Sequence, residues 1–234
     1  MSEDAQVQLV GFGANDSFEA QVDPSSFALR ASLRPLEYQV VGGTQGGHYR
    51  AAFSYSNTAA KPAGGSPVFS IRWSDPVRLF ALKRLQLWLA CTTAYTAAGA
   101  QDAALWKVTG FSSADTGGTA LSAVAGGQQR LYVGKMAATG LGSSAIGQIS
   151  SGDTLSAGTR TPETYPLGYA AWVNPAAAGA VVGPFTLFDT LAADHPLICG
   201  VNEGFIVTTP IGNAQAAGVS KWSIWMDWAE IPSF

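Results

Sequence analysis

The stretch Ser220-Lys221-Trp222-Ser223-Ile224-Trp225-Met226-Asp227-Trp228-Ala229-Glu230 alternates in character residue by residue. Trp222, Ile224, Met226 and Trp228 fall on one side, and Lys221, Ser223, Trp225 and Asp227 on the other. A period of two belongs to the β-strand, whose successive side chains point to opposite faces, so this stretch predicts a half-buried strand. Residues 68–73 repeat the pattern, with Phe69, Ile71 and Trp73 inward and Ser70 and Arg72 outward. Leu85, Leu87 and Leu89 stand against Arg84, Gln86 and Trp88, and bulk on both faces predicts a central strand covered on each side. Further strands are expected at 38–41, 48–55, 105–111, 130–133, 168–173, 185–188 and 204–209.

Clusters of turn residues separate these segments, among them Ala63-Gly64-Gly65-Ser66-Pro67, Gly126-Gly127 and the run from Asp115 to Gly118. About ten short strands with Gly- and Pro-rich punctuation, almost no helical periodicity and no fixed repeat predict an all-β fold. Within that class a jelly-roll-like β-sandwich fits the strand count best. Residues 1–36 carry isolated apolar positions (Val7, Leu9, Phe12, Phe18, Phe27, Leu29, Leu33), too sparse for a core of their own. They are expected to form an extended N-terminal arm ahead of a single domain at 37–234, with Phe12, Phe18 and Phe27 as contacts to a partner. Residues 136–165 are dominated by Gly, Ser, Thr and Ala and are expected to form a long loop ordered by a partner. The Ala-rich stretches 92–104 and 175–182 are expected to be shorter loops, with one helical turn within 98–104.

Composition narrows the function classes. Charged residues are 12% of the 234, half the roughly 25% usual in soluble domains, while 47% are hydrophobic. Seven Trp, seven Tyr and eleven Phe supply a large core, which excludes disorder throughout. So few charges predict that part of the outer surface is covered by other subunits or by a partner. The 13 basic residues are scattered and leave a net charge of −3, so the footprint for phosphate binding is missing and nucleic acid is not an expected partner. The longest apolar stretch, 79–91, is cut by Lys83 and Arg84 and falls short of the ~20 residues of a membrane span. The acidic opening MSEDAQVQLV does not read as a secretory signal, which predicts synthesis in the cytoplasm without export by that route.

The catalytic and metal motifs fail on their details. Gly11-Phe12-Gly13 opens like a dinucleotide fingerprint, but Asp16 stands where the third Gly belongs. Gly134-Lys135 lacks the first Gly of a phosphate loop, with Gln129 in its place, and Met136 replaces the magnesium-binding hydroxyl. No Gly-x-Ser-x-Gly elbow is present. Cys91, Cys199, His48 and His195 do not form the close-spaced pairs of a zinc site, and both thiols are expected to be buried and reduced. Asp189 and Asp194-His195 place carboxylates beside an imidazole, but Pro196 follows directly and a turn before a strand is the plainer reading. Asn15-Asp16-Ser17 matches the glycosylation sequon by chance. No catalytic, cofactor or metal residue, and no small-molecule substrate, is therefore expected.

The tryptophans divide by face. Trp73, Trp222 and Trp228 lie on apolar faces and are expected in the core. Trp88 and Trp225 lie on the opposite face of their strands, where an aromatic side chain meets a second sheet or subunit, or serves as a carbohydrate platform. The first is the expected use.

Several stretches, taken in order, resemble a family of tailed-bacteriophage virion proteins. They are Ala28-Leu29-Arg30-Ala31-Ser32-Leu33-Arg34-Pro35-Leu36-Glu37, Gly47-His48-Tyr49-Arg50 and Val68-Phe69-Ser70-Ile71-Arg72-Trp73-Ser74-Asp75. Residues 154–161, His195-Pro196-Leu197, Asn202-Glu203-Gly204-Phe205 and Trp225-Met226-Asp227-Trp228-Ala229-Glu230 continue the resemblance over nearly the whole chain. It implies a structural virion component rather than an enzyme. Head decoration or cementing comes first, on the capsid exterior, with the major capsid protein and copies of the chain itself as partners, a trimer among the possible homo-oligomers. A tail or fibre position that binds a host receptor or glycan is the alternative.

Overall fold

The computed structural model describes residues 8–10, 17–19, 21–22, 29–30, 47–58, 65–116, 118–120, 129–130, 139–141, 147–150, 155, 159–190, 195–211 and 218–232. The chain divides into two compact units, Met1–Gln39 and Val40–Phe234. In the first, β1 (Gln8–Val10) pairs antiparallel with β2 (Ser17–Glu19), Leu9 opposite Phe18, and β3 (Gln21–Val22) pairs with β4 (Leu29–Arg30). Phe12 and Phe27 lie outside the described residues, as does the strand expected at 38–41.

The second unit is built on β5 (Gly47–Thr58), β6 (Ser66–Arg72), β7 (Arg78–Thr93), β8 (Gly99–Phe111), β13 (Gly168–Asn174), β14 (Val181–Asp189), β15 (Leu197–Cys199), β16 (Gly204–Thr209) and β17 (Val219–Pro232). Between β8 and β13 lie the short β9 (Gly118–Ala120), β10 (Gln129–Arg130), β11 (Gly147–Ser150) and β12 (Arg160–Pro162). The pairing is nested. β5 pairs with β17, β6 with β16, β7 with β14 and β15, and β8 with β13, all antiparallel, so the chain is one long ribbon folded back on itself. The ribbon then wraps, because β17 also pairs with β7 and β16 with β8. Two sheets result, one with the order β5-β17-β7-β14 and the other β6-β16-β8-β13. This is the wiring of a jelly roll, two Greek keys rolled into a two-sheet sandwich.

The inner faces carry the residues that period-two reading assigns to them. Trp222, Ile224, Met226 and Trp228 of β17, Leu85, Leu87 and Leu89 of β7, and Phe69 and Ile71 of β6 are buried, together with Trp73 just beyond β6. Aromatic rings link the sheets: Trp228 lies 5.4 Å from Tyr49 and 6.1 Å from Phe80, and Phe80 lies 5.5 Å from Trp73 and 6.2 Å from Phe205. At the β13–β14 side, Trp172 stacks on Phe185 at 4.6 Å. Two glycines let backbones meet where no side chain fits. A Cβ on Gly168 would lie 1.7 Å from the Leu187 carbonyl oxygen, and one on Gly204 would lie 1.9 Å from that of Ile71.

The structure departs from the sequence reading in the low-complexity stretches. Residues 99–104, where a loop and one helical turn are expected, belong to β8 and pair throughout with β13, with Ala104 also opposite Thr208 of β16. Ala is a poor guide to strand or helix, and the paired neighbours decide the outcome here. Val181 and Val182, read as loop, open β14. The long connection at 136–165 is not a plain loop: β11 pairs with β6 and β9, and β12 continues along β8. Two of its side chains are anchored, since Leu141 and Leu155 are buried. Ser70, expected to face solvent, is also buried, beside Gln148 of β11 in the register.

Candidate interaction surfaces

The outward face of the β5-β17-β7-β14 sheet is ordered in cross-strand rows by its register. Asp227 of β17 sits opposite Arg50 of β5 on one side and Arg84 of β7 on the other, and Arg84 sits opposite Asp189 of β14. Arg50 donates to both Asp227 oxygens, Nε at 2.5 Å and Nη2 at 2.9 Å, and Arg84 Nη2 lies 2.9 Å from Asp189 Oδ2. The row therefore alternates in sign across four strands and neutralises itself. The bond to Asp227 raises the Arg50 guanidinium above its ordinary value, so it remains a cation.

The next rows hold the aromatic pair. Trp225 lies opposite Ala52 and Gln86, and Trp88 opposite Ser223, so the two indoles are diagonal neighbours on adjacent strands. Their ring centroids are 5.8 Å apart with planes tilted by 37°. The Arg50 guanidinium carbon lies 5.1 Å from the Trp225 ring centroid, and the Trp225 Nε1–H donates to Asp227 Oδ1 at 3.3 Å. Trp225 stays 36% exposed. Small polar groups flank the pair: Gln86 Nε2 donates to Thr186 Oγ1 at 3.1 Å, and the hydroxyls of Ser54 and Ser223 are 3.0 Å apart. Sequence reasoning places both tryptophans on the outward face. The same alternation puts Asp227 beside Trp225 and Gln86 beside Trp88; it misses Arg50 and Thr186, because only the register brings them beside the rings.

A different surface forms on the outward face of the other sheet. Tyr169, Ala171 and Val173 point outward from β13, while Trp172 points into the core. Tyr165 and Leu167 extend the same alternation, with Leu167 N–H bonded to the Leu105 carbonyl at 2.7 Å. Exposure runs at 78% for Tyr165, 42% for Leu167, 52% for Tyr169 and 66% for Val173. Beneath the stripe, buried Asp102 accepts the Tyr169 hydroxyl and the Ile211 N–H, each at 3.1 Å, which ties the exposed Ile211 to the same surface.

The remaining chemistry-bearing groups are closed. Glu230, fully buried, accepts from Arg78 Nη1 at 2.7 Å, from Gly140 N–H at 3.0 Å, from Trp228 Nε1–H at 3.1 Å and from the Thr139 hydroxyl. It thereby fastens residues 139–141 to the end of β17. Burial pushes its carboxyl up from the ordinary value, and these bonds offset part of that rise. Burial alone would raise Asp75 as well, but the N–H groups of Val77 and Arg78 and the Arg78 guanidinium hold it below its usual value. Asp189 is engaged by Arg84, His195 is exposed before β15, and Asp194 lies outside the described residues. Among the described residues no three His, Cys, Asp or Glu side chains gather as metal ligands would. Cys91 and Cys199 are free thiols and buried, with burial pushing Cys199 up to about 12.

These surfaces define a jelly-roll β-sandwich with an aromatic pair beside a self-neutralised ion-paired row on one sheet and an apolar stripe on the other. Comparison of the chain with known protein families, with curated proteins and with solved structures finds no match.

Proposed function

We propose that this chain is a structural component of a bacteriophage virion, a decoration or cement subunit that stabilises the head by bridging capsid proteins. The role is non-catalytic, and its partners are the major capsid protein and copies of the chain itself. The observation that carries the reading is the stripe Tyr165, Leu167, Tyr169 and Val173. Contiguous exposed apolar surface of this kind is uncommon on a soluble monomer and marks a contact surface. The low charge content supports it, since assembly surfaces are depleted in charge at their centres. Jelly-roll wiring is one solution used by viral capsid domains and is compatible with this role.

Gold labelling of purified particles with an antibody against the chain tests the proposal. Label distributed over the head is the expected outcome. Label confined to the tail tip, or absent from particles, would overturn it.

A further inference from the structure

We propose that the outward face of the β5-β17-β7-β14 sheet, centred on Trp88 and Trp225, is a binding site for an uncharged saccharide. The inference rests on the composition and order of this face and is independent of the assembly role given to the other sheet.

An exposed aromatic side chain on a sheet serves either a protein contact or a sugar, and its surroundings discriminate between them. Protein-contact surfaces combine aromatic anchors with aliphatic area, as the stripe on β13 does with Leu167 and Val173. Around Trp88 and Trp225 most positions instead carry hydroxyl, amide and ion-paired groups, Ser54, Ser223, Gln86, Thr186, Arg50 and Asp227, with Ala52 opposite Trp225 and the exposed Val181 beyond Trp88 as the aliphatic neighbours. A pyranose ring presents this mixture in complement. Its C–H faces stack on an indole, and its hydroxyl rim needs donors and acceptors placed around that indole.

Charge sets the class of sugar. Arg50 is matched by Asp227 and Arg84 by Asp189, so the row beside the rings offers a bound anion no surplus cation. Lys221 stands one row beyond Ser223, on the far side of the rings from the ion pairs. The match is therefore to a neutral ligand, with Asp227 and Arg50 presenting acceptors and donors to hydroxyls.

The site is also ordered before any ligand arrives. Trp225 is held by its N–H bond to Asp227, by the guanidinium of Arg50 at 5.1 Å and by Trp88 at 5.8 Å. A ring already fixed in place loses little freedom on binding, which lowers the ordering term that weakens sugar recognition on open surfaces.

The test uses the full chain on an array of immobilised neutral oligosaccharides built from glucose, galactose and N-acetylglucosamine, with sialylated and sulfated glycans as controls. Binding to one or more neutral glycans is expected, in preference to the sialylated and sulfated controls. Solution titration of the best binder should then show at least a tenfold weaker affinity for Trp225→Ala and for Trp88→Ala, and a smaller loss for Gln86→Ala. Trp225→Phe, which keeps a stacking ring, should retain most of the binding and supports the reading even where an alanine variant fails to fold. No binding to any neutral glycan overturns the proposal, as does a preference for the anionic controls. Binding unchanged in Trp225→Ala and Trp88→Ala overturns the site, and so does loss of capsid attachment in Trp225→Ala.

Discussion

Glu230 is the residue whose chemistry departs furthest from its position on the chain. Period two carries the inward face of Met226 and Trp228 on to Glu230, so a carboxylate stands where an apolar side chain is expected; it is fully buried and bonded by four partners that lie elsewhere in the sequence or two residues before it. Since burial raises its folded-state value above that of the unfolded chain, the folded state binds the proton more tightly. Its contribution to stability is fully present below the unfolded value and is lost as pH rises through the folded one. Chemical unfolding of the wild type and Glu230→Gln across roughly pH 4 to 8 should show the wild type losing stability relative to the variant as pH rises. A difference that does not vary with pH would refute this. Arg78 reads the same pocket from the other side, because it bonds both Asp75 and Glu230. Removing one partner of a buried ion pair strands the other, a loss of about 3–5 kcal/mol in such pairs, so Arg78→Met should be far more disruptive than Arg84→Met at the sheet surface.

At the scale of elements, β13 shows how one strand serves two environments. Its odd positions Tyr169, Ala171 and Val173 face outward and its even position Trp172 enters the core. The stripe reading predicts that Tyr165→Lys combined with Val173→Lys lowers head occupancy by at least tenfold. Lysine is tolerated on edge strands, and exposed substitutions of this kind usually stay within about 0.5 kcal/mol, so the melting temperature should move by less than about 4 °C. Occupancy of heads, measured by quantitative gel densitometry of decorated particles, decides it; undiminished decoration would remove the stripe from the interface. Strand assignments followed the same logic. Where large apolar residues alternate, as in β7 and β17, period two was legible and the observed strands extend it by a few residues. Where Ala and Gly dominate, as at 99–104, side chains carry too little burial energy to mark a face, and pairing with β13 decides the conformation.

For the whole molecule, the division at 39/40 is close to the expected arm boundary at 36, and the second unit holds the jelly-roll core. The first unit contributes its own short pairings, β1 with β2 and β3 with β4. A chain lacking residues 1–39 should therefore keep a cooperative unfolding transition within about 4 °C of the full chain. Under the decoration proposal it should also fail to coat heads, since an arm that orders on a neighbour supplies contacts the body lacks. Calorimetry together with a head-binding assay separates the two effects. A truncated protein that coats heads at full occupancy would end the arm's role in attachment.

The amino-acid sequence by itself determined the all-β class, the central place of β7, the inward faces of β6, β7 and β17, and the outward placement of Trp88 and Trp225. Those properties follow from local alternation, which is written in consecutive residues. Only the tertiary structure decided the nested pairing of first strand with last, the burial of Glu230 against Arg78, and the row Arg50, Asp227, Arg84 and Asp189 across four strands. Each of these joins residues far apart in the chain through register, and a one-residue slip in register would send every side chain of a strand to the opposite face. The physics of a single strand therefore states which face a residue occupies, and the packing of all the strands states what stands beside it.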